Sequence, residues 1–253
     1  MSILLVDIGN TRAKWAVLRG SRLSRGRAVP HRAGNAGLRS LVRSAPRDVS
    51  RVIAVCVAGA GRERALAGAV RARFGLRTEF IRSTRSAAGV RNGYRDVWRL
   101  GADRWLAVIG AHQIAGARDA LVVSIGTALT IDAVRGDGRH LGGAIVPGPR
   151  TMVASLLAGT NGIRRRARGA HASGGSSRRL FAADTASALE AGAAFAAAAF
   201  IDRAAEEARV EFGRRPLLLL TGGAAGGSAP YIKSAVKPVP DLVLRGLAVL
   251  ARG

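Results

Sequence analysis

The chain has 253 residues, with 40 Lys+Arg against 16 Asp+Glu, a net charge of +24 and 48% hydrophobic residues. That apolar content excludes a disordered tail, and the length suits one large domain or two of about 100 to 150 residues. Lysine occurs only at positions 14, 233 and 237, so 37 of the 40 basic residues are arginine, a profile that reads as coding bias in an Ala- and Gly-rich chain. The arginines are spread along the length and aromatics make up only 4%, without the interleaving a base-stacking surface needs, so no dedicated nucleic-acid partner is expected. No apolar run approaches the roughly 18 residues of a membrane span, no signal peptide is visible, and Cys56 is the only cysteine. A reducing cytoplasm and no membrane are the expectation.

In chain order, Ser2 to Asp7 reads as a strand, Gly9-Asn10 as a tight turn and Ala13 to Leu18 as a second strand. Ile53 to Ala58 and Thr78 to Ile81 read as strands around a helix from Arg62 to Phe74, and Leu100 to Gln113 as a further helix. The opening layout returns at Leu121 to Thr127 and Thr130 to Val134, closed by Gly136-Asp137-Gly138. At a constant offset of 117 residues, Val6 meets Val123, Ile8 meets Ile125, Gly9 meets Gly126, Ala16 meets Ala133 and Val17 meets Val134. Two similar halves follow, expected at 1–117 and 118–253. Gly159 to Arg179, with its arginine and Ser-Gly runs, reads as a surface loop. Asp184 to Glu207 is a long helix capped by Asp184 or Thr185, Leu217 to Leu220 a buried strand that turns at Thr221-Gly222-Gly223, and Asp241 to Arg252 the closing helix. The alternation defines an α/β fold.

Several chemistries are missing. There is no G-x-x-x-x-G-K-[ST] loop, no G-x-G-x-x-G after a strand and no G-x-S-x-G serine, and His31, His112, His140 and His171 lack zinc-motif spacing. What remains is Asp7-Ile8-Gly9-Asn10-Thr11 with Lys14 three residues on. Glycine lets a phosphate approach the backbone, amides and the Thr11 hydroxyl can donate to it, and Asp7 can hold a hydrated magnesium ion. An Asp-x-Gly-Asn hairpin alone is only a turn; Gly126-Thr127 at the matching place favours a pair of phosphate-binding hairpins.

Asp7 to Thr11, Gly101-Ala102-Asp103-Arg104, Gly126 to Asp132, Gly142-Gly143-Ala144-Ile145-Val146-Pro147-Gly148 and Thr221-Gly222-Gly223 together resemble the ordered motifs of type III pantothenate kinases. The resemblance spans nearly the whole chain. It implies the actin-like ATPase superfold, two ribonuclease-H-like halves with the nucleotide cleft between them, and phosphorylation of the pantothenate 4′-hydroxyl by ATP with magnesium. It further implies that Asp7, Gly9, Asn10, Thr11, Lys14 and Thr127 bind ATP and that Asp103 is the general base. Tyr94, Gly101, Ala102, Asp103, Arg104 and Thr185 would line the pantothenate pocket, and the protein would be a homodimer.

Plainer roles stay open. Asp103 suits a helix-start charge, Thr185 an N-cap, Tyr94 a loop closure, Asp132 a strand-end acid and Thr221-Gly222-Gly223 an ordinary strand-to-helix turn. The chain departs from the family where Ser124 replaces an aspartate that helps bind a monovalent cation, which puts potassium or ammonium dependence in question. The proline common after the tyrosine is also missing at Arg95. A non-catalytic regulator on the same scaffold, and a same-superfold kinase or phosphatase for another hydroxylated substrate, are the alternatives; the presence of Asp7, Asp103, Arg104 and Thr127 argues against the first.

Overall fold

The computed structural model describes residues 2–30, 35–167 and 179–253, so His31, His171, Arg168 and the Ser173 to Ser177 run lie outside the described residues. The elements run β1 Ser2–Ile8, β2 Arg12–Arg19, β3 Arg22–Leu23, β4 Arg27–Pro30, α1 Ala36–Ser44, β5 Val49–Cys56, α2 Ala60–Phe74, β6 Thr78–Phe80, β7 Ser86–Ala87, β8 Val90–Arg91 and α3 Ala102–Ala115. They continue with β9 Ala120–Ile125, β10 Ala128–Val134, β11 His140–Pro147, α4 Pro149–Gly159, α5 Asn161–Ala167, α6 Thr185–Phe212, β12 Leu217–Thr221, α7 Ala225–Ser228, β13 Val236–Pro238 and α8 Leu242–Arg252. One compact unit comprises Met1–Ala120, Ala133–Gly142 and Pro240–Gly253, and the other Leu121–Asp132 and Gly143–Val239.

Period-two burial organises the first unit. Leu4, Val6 and Ile8 of β1, with Ala13, Trp15 and Val17 of β2, join one core cluster with Leu38 and Leu41 of α1 and Leu66 and Val70 of α2. Leu5, Ala16 and Leu18 join a second cluster with Leu106 of α3 and Leu244 and Leu247 of α8. The sheet is thus covered on both faces, as its near-continuous apolar strands require. Its order is β3-β2-β1-β5-β6, with β4 also on β2; β1 pairs antiparallel with β2 and parallel with β5.

The closing helix α8 lies against α3 at very close range. A Cβ on Gly246 would stand 2.0 Å from the Leu106 carbonyl oxygen, and one on Gly110 would stand 2.8 Å from that of Leu242. Glycine at both positions is what permits the approach.

The second sheet has the order β11-β10-β9-β12-β13, the same sequence of hairpin, central strand and flanking strands as the first. The internal repeat therefore corresponds to a repeated architecture. In the second unit, α6 buries Ala193, Ala197 and Ile201 and ends at Gly213, whose φ of 69° is the left-handed conformation usual after a helix.

The loop expected over Gly159 to Arg179 is corrected where the structure describes it: Asn161–Ala167 is helical. Arg164 explains the local order, since its guanidinium donates to the Leu157 and Ala158 carbonyls at 2.8 and 2.9 Å and so caps the end of α4.

Gly246→Ala is expected to destabilise the protein by about 1 to 3 kcal/mol in a denaturant titration, through overpacking against Leu106. Gly61→Ala, where a Cβ meets nothing within 4 Å, is the control and should be neutral or stabilising by up to about 1 kcal/mol. Equal stability of the Gly246 variant would contradict the close helix contact.

Candidate active site

The β1–β2 ladder sets Asp7 directly opposite Lys14. By strand alternation both belong to the face that carries Leu5 and Ala16, the face covered by α3 and α8. Asp103 lies in the first turn of α3, and Asp241 is the residue before α8. The Lys14 ammonium donates to Asp241 Oδ1 at 3.3 Å. Burial pushes the Asp7 carboxyl up to about 7; the negative charges of Asp103 and Asp241 act in the same direction, and Lys14 opposes them. Lys14 and the distant Asp103 thus both act on Asp7 here. Asp241 was expected only to open the closing helix.

At the hairpin tip the Gly9 amide donates to the Arg12 carbonyl at 3.1 Å and closes the turn. Exposed Asn10 and Thr11 remain at the tip. A Cβ on Gly9 would lie 3.5 Å from Arg12 O, an ordinary contact, so the fold itself does not demand glycine there.

Tyr94 and Arg104 form a second cluster of the first unit. Arg104 is buried, its Nη1 donates to the Tyr94 hydroxyl at 2.8 Å, and its guanidinium lies 5.5 Å from the Tyr94 ring centre. The buried His140 ring stacks on Tyr94 at 6.1 Å, and Arg85 donates to the Tyr94 carbonyl at 3.3 Å. Tyr94 is therefore fixed from three sides. The Arg104 amide donates to Asp103 Oδ1 at 2.8 Å, and a Cβ on Gly101 would come within 2.7 Å of that oxygen, so glycine at 101 leaves room for the carboxylate. The backing residue His140 carried no signal in the sequence beyond being a histidine.

In the second unit three glycine motifs meet at the end of β9. A Cβ on Gly148 would stand 2.1 Å from Gly126 O, and one on Gly222, where φ is 101°, would stand 2.2 Å from Ile125 O. The Thr127 carbonyl accepts from Gly148 N at 2.9 Å and from Thr151 Oγ1 at 2.6 Å. Gly126 itself resembles Gly9: a Cβ would find only Ala128 O, at 3.7 Å. Ser124 is partly buried on β9, and Asp132 is buried on β10. The cap of α6 is Asp184, whose Oδ1 accepts from Ser187 N at 2.9 Å. Thr185 is thereby released from capping and lines an apolar groove of about 450 Å³ with Met152, Leu156, Ile163 and Leu189.

A hard divalent cation fits the chemistry of the first-unit group: carboxylates whose mutual repulsion one ammonium does not offset. Among the described residues no three metal-ligating side chains converge into a cage.

Solved structures share this architecture. The chain is similar to a conserved Campylobacter jejuni protein assigned to the Baf family of transcriptional activators (TM-score 0.59, 20% identity, 98% of this chain and 97% of the other). It is also similar to the ADPNP-bound activator of the 2-hydroxyisocaproyl-CoA dehydratase from Clostridium difficile (TM-score 0.54, 13% identity, 100% and 93%). The fold is that of the actin-like ATPases, in two sheet-containing halves. Residues 3–207 match the type III pantothenate kinase family. Relatives bearing that name from Nitrosococcus oceani (35% identity, 99% of this chain and 94% of the relative) and an Azoarcus species (39%, 98% and 90%) align along the whole chain. The chain belongs to the type III pantothenate kinase family.

The raised Asp7 carboxyl has a signed effect on stability. Its native pKa exceeds the ordinary 3.8, so the folded state binds the extra proton and the stability this contributes is full below about pH 4 and lost as pH rises through 7. Asp7→Asn removes that loss. The variant should melt at the same temperature as the parent near pH 4 and be more stable above pH 7, by up to roughly 4 kcal/mol. A gap independent of pH would show that Asp7 is not so perturbed.

Proposed function

We infer that this chain carries out ATP-dependent phosphorylation of the pantothenate 4′-hydroxyl, the first step towards coenzyme A, using the residues gathered at the end of β1. The observation that carries the reading is the placement of Asp7, Lys14 and the α3 carboxylate Asp103 on one face of one sheet. The two matched glycines support it. Gly148 and Gly222 are required by close backbone contacts, whereas Gly9 and Gly126 meet only ordinary contacts, so glycine at the two hairpins suits close approach of a phosphate to the backbone.

In this reading Asn10, Thr11, Lys14 and Thr127 donate to phosphate oxygens. Asp7 would hold a magnesium ion through water, and the ion would offset the charge of the nucleotide phosphates. Arg104, a buried cation already fixed by Tyr94, meets the pantothenate carboxylate. Gly101, Ala102 and Thr185 complete the substrate contacts. Asp103 accepts the hydroxyl proton as the substrate oxygen bonds to the γ-phosphorus, while the bond to the β,γ-bridging oxygen breaks and ADP leaves with its electron pair.

A homodimer is part of the proposal. The groove on α4 and α6, where Leu156 is 44% exposed, is an apolar surface a second copy would cover. A cytoplasmic location fits the lone free Cys56. No helix among the described residues is long and apolar enough to cross a membrane.

The test is turnover of ATP with and without pantothenate, with the product identified by mass. Asp103→Asn should lower kcat by about 10² to 10⁴ while nucleotide affinity changes little. Gly9→Ala should keep its melting temperature and lose ATP affinity; retained affinity would remove the hairpin from the phosphate site. Ser124→Asp should raise potassium activation, and an unchanged potassium titration would place any cation site elsewhere.

A further inference from the structure

Lys14 is held by a residue that none of the sequence motifs includes. We propose that Asp241 is a positioning residue for Lys14, its carboxylate fixing the ammonium above the end of β1 where nucleotide phosphates are to be gripped. The proposal rests on the reading of Lys14 as a phosphate ligand.

The backbone and the capping role fail to explain an aspartate at 241. Its φ of 59° and ψ of 35° are left-handed, a conformation that glycine or asparagine adopts at least as readily. Among the described residues only Ala88 shares positive φ without being glycine. An aspartate before a helix ordinarily accepts from an amide of the first turn, yet Asp241 makes no such side-chain cap. The carboxylate faces Lys14 instead, at 3.3 Å, with both side chains only about a quarter exposed (25% and 22%).

The surroundings preserve this arrangement. A Cβ on Gly26 would fall 2.2 Å from Asp241 Oδ2, so glycine there keeps the carboxylate's place open. The helix behind it is anchored where Gly246 meets Leu106 and Gly110 meets Leu242. An ammonium has three donors; Asp241 takes one and leaves two for phosphate oxygens. Without it, the partner across the ladder is Asp7, and pairing there would draw the lysine off the phosphates and occupy the carboxylate needed beside magnesium. A flexible four-carbon stem fixed before binding also loses less rotamer freedom on binding. Protein kinases use the same device, a lysine on the phosphates held by an acidic side chain from a helix.

The experiment is calorimetric titration of the full chain with MgATP and, separately, with metal-free ADP. Lys14→Ala, Asp241→Asn and the double variant are compared, with melting curves as the check on folding; asparagine tolerates the left-handed backbone. Asp241→Asn and Lys14→Ala should each weaken both ligands by roughly tenfold, and the double variant should be no weaker than Lys14→Ala by more than about twofold. Gly26→Ala, which displaces the carboxylate without altering it, should reproduce the Asp241→Asn loss. In turnover, KM for ATP should rise while KM for pantothenate stays constant, a split that general loosening of the fold would not give. Unchanged or tighter binding by Asp241→Asn beside a weakened Lys14→Ala overturns this proposal alone, as does an additive double variant. Unchanged binding by Lys14→Ala overturns the phosphate role of Lys14 itself.

Discussion

Strand parity in β1 and β2 is the constraint on which the rest depends. Leu4, Val6 and Ile8 are fully buried on the α1 and α2 side, so Leu5 and Asp7 must face α3 and α8, and the pairing of Asp7 with Lys14 then fixes the lysine on that same side. A one-residue slip would send every one of these side chains to the wrong face and expose the apolar set. The hydrophobic core thus selects the register, and the register selects the site. Two helices packed on the charged end of this face then bring in Asp103 and Asp241 by their first residues, so four charged groups distant in sequence share one corner.

That corner is held against its own electrostatics. Three carboxylates act with one ammonium, and burial adds to the cost of ionising Asp7. A sequence selected for stability alone would place apolar or amide side chains there; the retained carboxylates are the local conflict expected at a functional site. The wider field has the opposite sign. With a net charge of +24, the surface draws anions by long-range attraction, whereas this corner sets three carboxylates beside one ammonium.

Much of this was legible in the sequence because it is local. The hairpins, the buried strands and the long helix follow from alternation, turn residues and caps, and their observed bounds differ from expectation by a few residues at the ends. The repeat, short as it was, matches two sheets with one strand order. What stayed hidden is long-range or conformational. Asp241 looks like any residue opening a helix until its left-handed backbone and its partner 227 residues away are known. Arg164 looked like part of a basic loop, whereas it caps the helix before it. The glycines all read alike in sequence, and only the atoms around each separate those the fold requires, Gly148 and Gly222, from those it does not, Gly9 and Gly126.

The duplicated architecture also shows where charge was placed and where it was not. At the offset that aligns the hairpin glycines, Asp7 corresponds to Ser124 and Lys14 to Ile131. The second hairpin keeps the glycine and adds the Thr127 hydroxyl, but it carries neither the acid nor the base of the first. A polyphosphate needs both cation-linked and neutral donors. A second carboxylate at position 124 would add negative charge beside the phosphates and call for a further cation to offset it. With serine at 124 the carboxylates stay with the copy whose α3 and α8 supply Asp103 and Asp241, and on the proposed reading the other copy binds through neutral hydrogen bonds. On the proposed assignment the two halves share a scaffold while dividing the chemistry, with ion binding and proton transfer in the first and uncharged phosphate contacts in the second.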